Sequence, residues 1–180
     1  GGTLVNSYMV APWAPGSKSW SYPEGTGVFL AANRPLILQM HYSNASDDPL
    51  DSTTVNLNVA ESVERELFAW FYINSDIAIP PGLEDHEEEM RLRASTYTGY
   101  DGAIELLAIA PHMHKLGKSE KGWIEHADGT SSCAIDVPRW DFNWQMAYTL
   151  DEPIVIQPND RIGMRCTFDS TSVDQTTYWG

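Results

Sequence analysis

Proline and glycine interrupt this 180-residue sequence so often that long helices have no room. Eleven prolines and thirteen glycines are spread along the chain, and proline ends a helix because it lacks the backbone N–H and clashes with the preceding turn. Seven Trp, eight Tyr and five Phe, with many Val, Ile and Thr, favour strands instead. The pattern predicts short strands separated by turns, with less than about 15% helix.

Segments rich in strand-forming residues lie between turn signals such as Pro80-Pro81-Gly82 and Ala127-Asp128-Gly129. About nine such strands indicate an all-β fold, an antiparallel sandwich or barrel, of which we expect the β-sandwich, jelly-roll-like in arrangement. The acidic segment Leu83–Met90 is the main helix candidate, and it is equally typical of a loop that leads into a strand. The predicted strands are Thr3–Met9, Leu36–Ser43, Thr53–Ala60, Glu66–Ile73, Glu88–Thr96, Ala103–His112, Gly122–His126, Gln145–Leu150 and Arg161–Phe168.

Composition excludes several classes of protein. The 25 Asp and Glu residues outnumber the 11 Lys and Arg, which gives a net charge of -14, and such a surface repels the phosphate backbone of nucleic acids. No apolar run approaches the ~20 residues of a membrane span. The two cysteines, Cys133 and Cys166, are too few for a disulfide framework. A chain that begins Gly-Gly and ends Trp-Gly also suggests a piece of a longer protein.

The segment His112-Met113-His114 is the sharpest local signal for chemistry. Side chains at positions i and i+2 of an extended chain lie on the same side, so both imidazoles can reach one metal ion. Imidazole binds Cu, Zn, Fe and Ni, and the pair alone therefore does not select the metal. A polar strand end with two hydrogen-bonded histidines is an equally good interpretation of this short spacing.

Other candidate residues are weaker on their own. Gln39 and His41 share one side of the predicted strand Leu36–Ser43, where a buried structural histidine is more common than a ligand. His86 lies among carboxylates that indicate a solvated acidic loop. His126 lies next to the Ala-Asp-Gly turn and is expected to be exposed. The aromatic segment Arg139–Gln145 is typical of a turn that covers a core, and it would also suit a carbohydrate-binding face.

Five motifs occur in an order that resembles the copper type II, ascorbate-dependent monooxygenases, the peptidylglycine α-hydroxylating and dopamine β-monooxygenase-like enzymes. The resemblance covers the C-terminal catalytic domain and the junction before it, from about Trp13 to Gly180. Trp13–Gly16 and Arg139–Gln145 look most like the bacterial branch. In chain order, the motifs are Q-M-H-Y, I-P-P-G, P-H-M-H-K-L-G-K, R-W-D-F-N-W-Q and R-C-T-F.

The resemblance implies an activity and specific residue roles. It implies hydroxylation of a C–H bond of a small-molecule or peptide substrate with O2, two coppers in the complete enzyme, and ascorbate as the reductant. His112 and His114 fall on two ligands of the catalytic copper. His41 falls on one ligand of the second, electron-transfer copper, and Gln39 falls on a residue between the coppers. Cys166 falls on a cysteine that the family pairs with one beyond the present chain, so we expect no Cys133–Cys166 bond.

The resemblance also predicts what this chain lacks. The family's third catalytic-copper ligand is a Met in a Glu-Met-Cys segment, which has no counterpart before Gly180, and an N-terminal copper domain supplies the other ligands of the second copper. We therefore expect a junction over 1–34, the domain over 35–180, weak copper binding and no turnover by the isolated chain. The family's disulfides favour a secreted, periplasmic or extracellular location. Two alternatives stay open: a non-catalytic β-sandwich that binds carbohydrate or protein, and a Zn-binding jelly roll.

Overall fold

A computed structural model describes residues 9–13, 19–40, 50 and 52–179. These residues form ten short strands and one helix of five residues, which confirms the all-β prediction. In chain order, the elements are β1 (Thr26–Val28), β2 (Arg65–Leu67), β3 (Ala78–Ile79), β4 (His86–Arg93), α1 (Ala94–Thr98), β5 (Ile104–Ile109), β6 (Gly117–Glu125), β7 (Ser131–Val137), β8 (Tyr148–Ile156), β9 (Arg161–Phe168) and β10 (Thr177–Tyr178).

The chain divides into two compact units, of which the first comprises Gly1–Ala11 and Trp20–Ala69. Its described strands are β1 and β2, which pair in parallel from Thr26 and Arg65 to Val28 and Leu67. This short pair is the exception to the predicted antiparallel arrangement.

Two strands predicted in this first unit are wrong. The described part of Leu36–Ser43 forms no strand, and the side chains of Leu36, Ile37 and Leu38 are 60%, 63% and 56% exposed. A continuous apolar run is stable as a strand only when both of its faces are covered, and no described strand pairs with it. Thr53–Ala60 likewise forms no strand. Of the predicted strand Glu66–Ile73, only Glu66 and Leu67 are in a strand, at the end of β2. Thr3–Met9 lies outside the described residues apart from Met9.

The second unit comprises Pro12–Ser19 and Trp70–Gly180 and contains a four-stranded antiparallel sheet in the order β4-β9-β6-β7. Strand β4 shows why the acidic segment is not helical. Its residues alternate between half-buried and exposed, which is the two-residue period of a strand with one face on the core. The exposed carboxylate of Glu89 pairs with Arg91 and with Arg165 on the neighbouring β9.

Strands β5 and β8 form a separate antiparallel pair that packs against the four-stranded sheet. Ile104 of β5 and Ile156 of β8 share a buried cluster with Ile124 of β6 and Ala94 of α1. Pro153 lies in β8, close to where the β5–β8 register shifts between Leu106 and Ala108. A proline cannot donate to the hydrogen-bond ladder, so it is tolerated at such an irregularity. Two sheets facing one core are consistent with a β-sandwich.

A second buried cluster lies at the other end of this unit. It brings together Ile79 of β3, Cys166 and Phe168 of β9, and the loop residues Met113 and Trp140. This cluster positions the segment that contains the two histidines. No helix among the described residues is long and apolar enough to span a membrane.

Candidate metal site

The two histidines lie in the connection between β5, which ends at Ile109, and β6, which begins at Gly117. Side chains alternate along this extended segment: Pro111 and Met113 are buried, whereas His112 and His114 are exposed. Met113, only 4% exposed, packs into the cluster with Trp140. Gly117 permits this packing, because a Cβ at that position would lie 2.8 Å from the Met113 Cβ. Met113 therefore anchors the segment and keeps both imidazoles on the solvent side.

The two imidazole rings lie close enough to share one metal ion. Their centroids are 5.2 Å apart and their planes cross at 85°. A metal ion lies about 2.0 Å from an imidazole nitrogen and about 3.1 Å from the ring centroid, so two rings at a tetrahedral angle on one ion have centroids about 5 Å apart. The centroid separation of His112 and His114 thus matches that of two rings on one ion.

Gln145 contacts the ring of His112. The side-chain Oε1 of Gln145 lies 2.6 Å from Nδ1 of His112, while its Nε2 donates a hydrogen bond to the carbonyl oxygen of Phe142 at 2.8 Å. The Nδ1 atom is thus occupied by a hydrogen bond, and Nε2 is the ring nitrogen left for a metal ion.

A buried carboxyl group lies beneath the histidine segment. Glu120, only 6% exposed, is on β6 opposite Cys166 of β9. Burial raises the pKa of Glu120 to about 7, although the backbone N–H of His112, which donates to this carboxyl, opposes the rise. Its Oε2 has no hydrogen-bond partner among the described residues. Glu120 therefore supports the backbone of His112 from the core side.

The donor set is incomplete but suits copper. Among the described residues, no group of three or more His, Cys, Asp or Glu side chains could hold an ion, so the pair offers two imidazoles with open positions. Met113 belongs to the buried cluster and Met164 packs against it, so both thioethers are committed to the core. Imidazole ligands without carboxylates suit copper or zinc better than Ca²⁺ or Mg²⁺.

The sequence offers three further candidate residues, His41, Gln39 and His86. His41 lies outside the described residues, and Gln39 is an exposed residue of the first unit that forms part of no strand. His86 begins β4 and its Nε2 lies 2.9 Å from Glu88 Oε1. Residues of β4 alternate between half-buried and exposed, and His86 is one of the half-buried ones. The prediction of a solvated acidic loop is therefore wrong at His86.

His126 is half-buried, so the prediction that it is exposed is wrong. Its Nδ1 lies 2.9 Å from Asp160 Oδ2 and its Nε2 lies 2.8 Å from Ser132 Oγ. Asp160 is almost completely buried and also accepts backbone N–H groups from Ala127 and Gln157. This network ties the β6–β7 turn to the β8–β9 turn, so we assign it a structural role.

A cavity of about 550 Å³ adjoins the histidine segment. Pro111 and Lys115, on either side of the pair, both line it. Half of the remaining lining residues are aromatic, namely Trp140, Phe142, Trp144 and Tyr148, and Arg139 also lines the cavity. Among the described residues, neither Lys115 nor Arg139 pairs with a carboxylate, whereas the neighbouring Lys118 does. The cavity therefore combines aromatic rings with two cationic groups and one carboxylate, that of Asp141.

Comparison with known proteins agrees with this geometry. A DBH-like monooxygenase protein 2 from Mus musculus is 24% identical over 188 residues, which cover 97% of this chain and 30% of the relative. Peptidyl-glycine alpha-amidating monooxygenase A from Xenopus laevis is 27% identical over 188 residues, which cover all of this chain and 19% of the relative. The chain thus spans less than a third of the length of either protein.

The family match coincides with the unit that carries the histidine pair. The family model for the C-terminal domain of copper type II ascorbate-dependent monooxygenases matches residues 67–180. This range includes every described strand of the second unit, the His112–His114 segment and the cavity. The predicted resemblance is confirmed at the level of the family, and assignment to a bacterial branch remains a prediction. The chain belongs to the copper type II, ascorbate-dependent monooxygenase family and carries its C-terminal domain.

Proposed function

We propose that this chain supplies part of the catalytic-copper site of a monooxygenase that hydroxylates a C–H bond with O2, with ascorbate as the reductant. His112 and His114 are the proposed ligands. The observation that carries the proposal is the 5.2 Å separation of their ring centroids on the solvent side of one segment. Family membership supports the choice of copper over zinc.

Each residue around the pair has a distinct role in this proposal. A bound copper ion supplies the O2 activation that hydroxylation requires. Met113, locked in the buried cluster, fixes the segment, and the backbone N–H of His112 is held by Glu120. Because the core holds the segment from behind, the two rings need little reorganisation to bind the ion.

The aromatic cavity is the proposed substrate site. It shares Pro111 and Lys115 with the histidine segment, and its volume lies in the range of small-molecule sites, roughly 300–1,000 Å³. Aromatic rings supply apolar contact area, and Lys115 and Arg139 add positive charge. A small molecule or the end of a peptide would fit this cavity. The same surface supports the alternative of a non-catalytic binding module, and copper binding separates the two.

The complete enzyme requires more than this chain. Following the family resemblance, we propose that His41 binds the second copper, that Gln39 lies between the coppers, and that an N-terminal copper domain and a Met ligand come from outside the 180 residues. We retain 35–180 as the extent of the domain and Cys166 as half of a disulfide, and with it a secreted, periplasmic or extracellular location. The isolated chain is expected to bind copper weakly and not to turn over substrate.

Titration with Cu(I) against a chromophoric Cu(I) competitor tests the proposal. We expect one copper per chain at the pair, and loss of that binding in both His112→Ala and His114→Ala. His86→Ala is the matched control, because this ring contacts Glu88 on β4. Parallel titration with Zn²⁺ tests the zinc alternative. Copper binding that survives both substitutions, or a clear preference for Zn²⁺, would contradict the proposal.

A further inference from the structure

The imidazole of His112 can present only one of its two nitrogens to a metal ion. A neutral imidazole carries one N–H donor and one bare nitrogen, and only the bare nitrogen can bind a metal. In water, a neutral histidine side chain favours the form with the proton on Nε2. A histidine that binds metal through Nε2 must therefore hold its proton on Nδ1.

The hydrogen bonds of Gln145 select that form. Its two polar atoms have different partners: Oε1 faces Nδ1 of His112 at 2.6 Å, and Nε2 faces the carbonyl oxygen of Phe142 at 2.8 Å. A carbonyl oxygen only accepts, so the atom that faces Phe142 must be the NH2 group. The atom that faces His112 is then the amide oxygen, and Nδ1 must be the donor. Rotating the amide by 180° would set its oxygen against the carbonyl oxygen of Phe142 and lose that hydrogen bond.

This arrangement joins two segments that are distant along the chain. Gln145 lies 33 residues after His112, in the connection between β7 and β8. Trp144, its immediate neighbour, lines the aromatic cavity. Gln145 thus lies between the cavity wall and the ring of the first histidine.

We propose that Gln145 is a positioning residue that holds His112 with its proton on Nδ1 and its Nε2 free for copper. The proposal rests on the proposed function for the identity of the metal, but the state of the ring is a property of the metal-free chain. Residues that accept the second N–H of a metal-binding histidine fix its ring orientation and raise its basicity. Their removal typically weakens metal binding about 10- to 100-fold.

Nitrogen NMR of the histidine rings in the metal-free chain measures this state directly, at about pH 8.5 where imidazoles are neutral. We expect the Nδ1–H form at His112 and a shift toward the Nε2–H form in Gln145→Ala, with His114 unchanged as the internal control. Gln145→Glu should keep the Nδ1–H form, because its carboxylate still accepts that proton. Asn143→Ala, in the same loop, should leave His112 unchanged, because the Asn143 side chain contacts Asp141.

Copper affinity provides the second readout. We expect Gln145→Ala to weaken Cu(I) binding about 10- to 100-fold and Gln145→Glu to restore most of it. A wild-type His112 in the Nε2–H form, or a Gln145→Ala chain with an unchanged ring and unchanged copper affinity, would overturn the proposal. If the ring shifts as expected but His112→Ala still binds copper normally, the metal assignment fails while the positioning of the ring stands.

Discussion

Glu120 is the residue whose environment differs most from what its chemistry favours. Its carboxyl is buried on β6, its Oε2 has no partner among the described residues, and burial raises its pKa to about 7. An acid with a raised pKa in the folded state resists ionisation there, so folding becomes less favourable as the pH rises from its unfolded pKa to its folded pKa. Below both pKa values the carboxyl is neutral in the folded and the unfolded chain, so there is no ionisation penalty.

Glu120→Gln is therefore expected to raise the stability of the metal-free chain at pH 8 relative to wild type, and to have little effect at pH 4. The ionisation penalty that it removes reaches about 3 kcal/mol above pH 7, and the Gln oxygen can still accept the His112 N–H. Urea unfolding at the two pH values measures the difference. Glu152→Gln, at an exposed position on β8, is the control, and an equal effect of Glu120→Gln at both pH values would contradict this account.

The two cysteines are expected to differ in reactivity. They are not bonded to each other, as predicted, and both are free thiols in this structure, with Cys133 exposed and Cys166 buried. Burial, with the nearby carboxylates of Glu120 and Glu88, raises the pKa of Cys166 to about 12, and the thiolate is the reactive form. A thiol reagent should label one cysteine rapidly in the native chain and two after unfolding. Rapid labelling of Cys166 would show that the buried cluster is not formed as described.

The sequence predicts the histidine pair but not Gln145 and Glu120, the residues that support it. His112 and His114 share a side because i and i+2 side chains do so in any extended segment, and Met113 points the other way for the same reason. Gln145 is not predictable, because the turns of an irregular loop bring it back across 33 residues. The burial of Glu120 is equally unpredictable from the sequence, since a carboxyl in a strand normally faces water.

Among the elements, the turns at one end of the four-stranded sheet are linked through Asp160. Its carboxylate accepts backbone N–H groups from Ala127 after β6 and from Gln157 after β8, and it contacts the His126 ring. Burial raises the pKa of Asp160, but these hydrogen bonds outweigh burial and the net pKa is lowered. The ionised group therefore stabilises the fold above its unfolded pKa, and this contribution is lost as the pH falls through the folded pKa.

Asp160→Ala is expected to destabilise the chain by about 2–4 kcal/mol at pH 7, because it leaves buried N–H groups without acceptors. Asp128→Ala is the control at an exposed turn, where the carboxylate accepts hydrogen bonds from Thr130. This substitution should lower the free energy of unfolding by less. Denaturant unfolding of both variants measures the difference. Equal losses for the two substitutions would show that the link between the turns contributes little.

Strand boundaries follow from the sequence only where alternation and turns agree. Both ends of the strand Arg161–Phe168 are predicted correctly. The strand follows the Asn159-Asp160 turn, and every second residue from Ile162 to Phe168 is apolar. Ser131–Val137 is missed as a strand because its residues are mostly small or polar, although the Asp128-Gly129 turn before it is a hairpin signal. The described part of Leu36–Ser43 forms no strand for the opposite reason, since apolar residues favour a strand only where a partner covers them.

For the whole molecule, the second unit carries everything that the proposed copper site uses within the described residues. The sandwich core fixes Met113, the four-stranded sheet supplies Glu120, and the loop before β8 supplies Gln145 and the cavity wall. All of these lie within the range that matches the family's C-terminal domain. The chain therefore contributes an oriented pair of imidazoles beside an aromatic cavity, and the resemblance predicts that the remaining ligands come from elsewhere.

X-ray absorption of the Cu(I)-loaded chain tests the central claim most directly, because it counts the imidazoles bound to the metal. We predict two imidazole nitrogens at about 2.0 Å in the wild-type chain and one in His114→Ala, with no sulfur from Cys133 or Cys166. A spectrum dominated by sulfur, or an imidazole count that does not fall in His114→Ala, would show that copper does not bind at the His112–His114 pair.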